Sequence, residues 1–250
     1  MALREVVDKT GRADPEKVRR AYESVEAAYA KLGRAPKWPV SVVVEDMEIM
    51  GATQSRLPVD HLIHVSLRAA KSDLLAGLIA HEMGHIARTE SRHPSHDPEV
   101  HNRAMARVTV PRAFSRGFPR IAHAAINHVE DIYADDYAMT VIGTDRARGF
   151  FAEWVNNAVA MAADGNRWAE VSGALDIAFS LGNLGRHRLL PADDPLWREA
   201  KAFAKAHTIP SLDPLIALYR DLPEPISAKA CEDILAGLLE TVVEELKKSA

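Results

Sequence analysis

Between Leu74 and Ala87 the chain carries no proline, and its only acids or bases lie in His81-Glu82-Met83-Gly84-His85. An apolar run of this kind reads as one buried helix. Residues four apart on a helix share a face, so the imidazoles of His81 and His85 project towards a common point. Glu82 stands one step round, near enough to reach a water at that point without being a ligand. This is the H-E-x-x-H pattern, in which two histidines ligate a zinc ion and the glutamate acts as general base. A helix with this polarity has to cross a core, so the fold must be built around it.

Composition bounds the rest. The 250 residues are 47% hydrophobic and 26% charged, as in an ordinary globular chain able to bury a substantial core. A net charge of −4, spread along the chain, gives no footprint for nucleic acid. The single cysteine, Cys231, rules out an internal disulfide framework and fits a reducing, cytoplasmic setting. Met1 to Arg12 lacks a signal-type apolar core, and no stretch approaches the roughly 20 apolar residues of a membrane span. Oligomeric state is not legible.

Along the chain, Asp14-Pro15 opens a helix that Gly33 closes, with Val18, Tyr22, Val25 and Tyr29 on its apolar face. Val40 to Glu45 and His61 to Leu67 read as strands, with Met50 to Pro58 as loop between them. Residues 62–67, directly before the metal helix, are the candidate edge strand for aligning an extended peptide; His64 there reads as facing a neighbouring strand. Arg88 to Arg103 turns charged and carries Pro94 and Pro98. Its histidines, His93, His96 and His101, read as a solvated loop over the site, with His93 an alternative ligand through an irregular turn. Pro111 to Arg120 alternates arginine and phenylalanine and reads as a surface turn. The residues after 145 read as helices: Phe150–Ala163, Trp168–Leu181 closed by Gly182 and Gly185, one from Asp194-Pro195 to Ala206, a short one at Asp213-Pro214, and a long last one capped by Ser227. Trp154, Trp168 and Trp197 are expected to anchor them.

The second informative stretch is Ile121 to Met139, helical in period yet bearing Glu130, Asp131, Asp135 and Asp136 among apolar neighbours. Carboxylates on a core-like helix need a partner, and a metal with its histidines is one. With these two stretches the chain resembles the gluzincins, zincin-fold metallopeptidases that carry His-Glu-x-x-His on one helix and an acidic third ligand on a second. In that group the ligand is followed four residues later by an aspartate that orients a ligand histidine. Asp131-Ile132-Tyr133-Ala134-Asp135 reproduces this register with aspartate in the ligand's place; one residue earlier, Glu130 offers the longer side chain. Glutamate reaches more easily between packed helices, so Glu130 is the expected third ligand with His81 and His85, and Asp131 the alternative. Asp135, or Asp131 if unligated, is the expected orienting acid.

The resemblance covers residues 39–142. It implies an α+β, predominantly α, zincin-like fold with a small sheet: a single domain comprising an N-terminal helix at 14–33, a zinc-site core at 39–142 and a helical part at 145–250. It further implies one catalytic Zn²⁺ and hydrolysis of a peptide or protein substrate, Glu82 activating the attacking water. His123, His128, Tyr133 and Tyr137 are candidate oxyanion donors. A zinc-binding regulatory or assembly protein on the same fold is the alternative.

Overall fold

The computed structural model describes residues 2–141, 144–162 and 165–248; the last residue of the helix expected at Phe150–Ala163, and the end of the 39–142 core, lie outside them. The fold is predominantly helical, 63% helix and 10% strand, with one small mixed sheet. The chain divides into two compact units, Met1–His96 with Tyr133–Gly143, and Asp97–Ile132 with Thr144–Ala250.

The first unit holds the sheet. Its strands are β1 (Leu3–Asp8), β2 (Val40–Glu45), β3 (Gly51–Arg56) and β4 (Asp60–Ser66), in the order β1-β2-β4-β3. β1, β2 and β4 run parallel, and β3 pairs antiparallel with β4. Two sequence expectations are corrected here. The segment assigned to loop before Pro58 contains β3, and residues 62–67 fall mostly in the interior strand β4, so the edge on that side of the sheet is β3. Gly51-Ala-Thr-Gln-Ser-Arg56 hides its strand because an edge needs no apolar alternation. β1 is likewise half charged and half exposed, and no periodicity betrays it.

Helix α1 (Pro15–Lys31) starts where Asp14 accepts from the Glu16 and Lys17 amides, and the chain leaves it through Gly33 at φ +67°. After the short α2 (Leu67–Lys71), α3 (Leu75–Glu90) carries the two histidines. Val18, Tyr22, Val25 and Tyr29 of α1 meet Val42, Val44, Ile63 and Val65 of the sheet and Ile79, Met83 and Ile86 of α3 in one core. Each such side chain, fully buried, contributes about 1.5–3 kcal/mol. Tyr29 adds a polar tie, its hydroxyl donating to the Ala80 carbonyl at 2.6 Å.

The segment after His85 is not the charged loop expected. Arg88 and Glu90 complete α3, and α4 (Pro98–Arg107) begins at Asp97, which caps the Glu99 amide. Between them, the His93 amide bonds back to the Arg88 carbonyl and the Arg92 amide to Thr89, with Arg92 itself left-handed at φ +54°. This reversal folds the following 3-10 turn, Pro94–His96, back along α3.

The acid helix, α5 (Phe118–Ala138), begins in the second unit and ends in the first. The second unit continues with α6 (Thr144–Met161), α7 (Arg167–Arg186), α8 (Pro195–Ala206), α9 (Leu212–Arg220) and α10 (Ala228–Lys247). α7 is its hub, buried on nearly every side and packed against α6, α9 and α10. It runs through Gly182 rather than stopping there, and the absent side chain admits Tyr219 of α9. Trp154 joins Phe151, Phe179 and Tyr219 in an aromatic cluster, whereas Trp168 packs edge-on to Phe114 and Trp197 is only half buried.

Candidate metal centre

His81 and His85 occupy successive turns of α3, and their Nε2 atoms face each other at 3.1 Å. Two imidazoles bound to one tetrahedral zinc at about 2.0–2.1 Å would have nitrogens about 3.3 Å apart. The Nδ1 of each ring is engaged on its far side, His81 with Asp135 Oδ1 and His85 with His96 Nε2, both at 2.8 Å. A carboxylate accepts the Nδ1 proton of His81 and so bares its Nε2 lone pair towards the common point. The chemistry of this pair therefore fits a cation. Asp135 is 4% exposed and has the orienting position read from the sequence.

Asp131 lies one turn before Asp135 on the same face of the unbroken α5. Among the described residues, the group able to hold a metal ion is His81, His85 and Asp131, whose ligand atoms lie within 4.8 Å of one another. The expected Glu130 is not in that group. It sits about 100° round the helix from Asp131, and with the Asn127 amide turned to satisfy its neighbours, Asn127 Nδ2 donates to Glu130 Oε2 at 3.2 Å. The two helices come close together at Gly84. A Cβ on Gly84 would collide with the Ala134 carbonyl, so the α3 backbone lies directly against that of α5. Arg88, 2% exposed, holds the same two helices from the next turn, donating to the Tyr133 carbonyl at 2.8 Å and to Asp136 at 3.3 Å beneath the Tyr137 ring.

Glu82 is 4% exposed and turned to the sheet. Thr53 of β3 donates its hydroxyl to Glu82 Oε2 at 2.7 Å, and a Cβ at Gly51 would stand 2.8 Å from Glu82 Oε1. The edge strand thus supplies both a donor and the space for this carboxylate. Neither residue was singled out from the sequence, which offers no apolar pattern at β3. Ser95 and His96 escape the sequence for a different reason: polar residues between prolines suggest a solvated loop, yet Ser95 is 1% and His93 9% exposed. His93 lies against the Tyr133 ring, centroids 4.5 Å apart, and is not in the metal-capable group.

The candidate oxyanion donors differ in their surroundings. His123 is exposed on the first half of α5. His128 stacks on Phe179 and faces Asp176 Oδ1 at 3.2 Å through Nε2 and the Tyr219 hydroxyl at 3.5 Å through Nδ1. Tyr133 is fully buried. His64 pairs with Glu45 of the neighbouring strand at 2.6 Å, as its alternation suggests.

Residues 10–235 match DUF5781, a family of unknown function, and the chain belongs to that family. No curated protein and no solved structure matches it.

Proposed function

We propose that this protein is a zinc-dependent peptidase of zincin type, with zinc held by His81, His85 and Asp131. The observation that carries the reading is the facing of two Nε2 atoms at 3.1 Å with Asp135 behind one of them. Bound zinc would lower the pKa of a coordinated water to about 7 and polarise a scissile carbonyl. The chain supplies the remainder. Asp135 holds the Nδ1 proton of His81, keeping Nε2 a lone-pair donor. Glu82, steadied by Thr53, takes the proton of the attacking water and passes it to the leaving amine. The open edge of β3, beside Glu82, aligns an extended peptide backbone by strand addition.

The test is metal content together with cleavage of a generic peptide library. Wild type should bind one zinc per chain and cleave; Glu82→Gln should keep the zinc and lose about 10²–10⁴-fold in rate. Equal cleavage by the Gln variant sinks the mechanism. Zinc binding without cleavage by wild type would favour a regulatory or assembly role for the same centre.

A further inference from the structure

Asp135 is bonded to His81 Nδ1; at 2.8 Å from His85 Nδ1 stands another imidazole nitrogen, His96 Nε2. An imidazole can donate or accept, so this contact alone does not bare His85 Nε2. The rest of the turn decides the direction. The Ser95 backbone N–H points at His93 Nδ1 at 3.3 Å, and an amide can only donate, so that nitrogen carries a lone pair. Ser95 Oγ lies 2.7 Å from the same nitrogen, so the hydroxyl gives its single proton there. Oγ can then only accept from His96 Nδ1, 2.8 Å away, which places the proton of neutral His96 on Nδ1. His96 Nε2 is therefore bare and accepts from His85 Nδ1–H, leaving His85 Nε2 bare towards His81.

Resting on the zinc reading above, we propose that His96 is the positioning residue for the second metal ligand, its tautomer dictated by Ser95 and His93. A chain of neutral groups, anchored on one backbone amide, does for His85 what Asp135 does for His81. The Arg92 reversal brings this turn back to the helix it has just left. Asp135 is a carboxylate and His96 an imidazole, so the two histidines are backed by acceptors of different basicity.

Zinc affinity of the full-length protein, measured by chelator competition, tests this, with the Co²⁺-substituted visible spectrum as a second readout. His96→Leu removes the acceptor and should weaken zinc binding about 10–100-fold and alter the cobalt spectrum. His96→Gln keeps an acceptor oxygen near the position of Nε2 and should restore affinity to within a few fold, a rescue that packing alone does not predict. Ser95→Ala, a smaller change should the leucine variant fail to fold, should weaken binding in the same direction. Wild-type affinity in His96→Leu, or in Ser95→Ala where leucine does not fold, overturns the proposal, as does a Gln variant as weak as Leu. If wild type itself binds no zinc, the failure belongs to the proposed centre and takes this inference with it.

Discussion

Two adjacent acids on α5 meet different fates because a helix turns about 100° per residue. Asp131 shares the face of Asp135, whose carboxylate is bonded to His81, while Glu130 turns to Asn127. Asp131→Ala should therefore lower zinc affinity by at least about 10-fold, a loss of roughly 1.4 kcal/mol or more, and Glu130→Ala should leave it within a few fold. Isothermal titration of the two variants with zinc decides between them, and the reverse ranking would restore the glutamate. Cys231 offers a second residue-scale check. Burial, followed by the nearby charges of Glu130 and Asp97, pushes its thiol up to about 12. Because the thiolate is the nucleophile, iodoacetamide at neutral pH should label the native protein negligibly and the urea-unfolded protein fully; fast native labelling would contradict its packing.

Among elements, the α3–α5 crossing is the tightest junction around the centre. Gly84→Ala forces backbone apart rather than displacing a flexible side chain, so it should cost about 1–3 kcal/mol and weaken zinc binding as well. Thermal unfolding and metal titration would show both, and a variant of wild-type stability would mean that the helices yield freely. The same crossing marks where sequence reading succeeds and stops. His81, Glu82 and His85 are legible because spacing on one helix is a local property, as are the Asp14 cap and the apolar stripe of α1. Which acid comes near the two histidines turns on the distance between two helices, and that distance depends on a glycine whose role spacing does not reveal. β1 and β3 escaped because half-exposed edge strands lose their alternation. His96 escaped because a polar turn looks solvated until the left-handed Arg92 sends it back to the helix.

At the scale of the whole molecule, neither unit is a continuous piece of chain. The first contains all four strands and the H-E-x-x-H helix within Met1–His96, yet it is completed by Tyr133–Gly143. Without that return, buried Arg88 loses the Tyr133 carbonyl and Asp136, and His81 loses Asp135. Leaving a buried charge unpaired costs about 3–5 kcal/mol, a large part of a domain's stability. A fragment of residues 1–96 should accordingly show no cooperative unfolding transition by circular dichroism; a sharp one would show that the sheet and α3 stand alone. Among the described residues no helix is long and apolar enough to cross a membrane.

The strand at the sheet's rim has a consequence of its own. An unpaired row of amides and carbonyls recruits any extended chain, including another copy of the same protein, and long apolar rims are where ordered aggregates nucleate. β3 is six residues long and presents Thr53, Gln54, Ser55 and Arg56 in place of valines. That composition denies the rim the dry, interlocking surface on which a permanent pairing would be built.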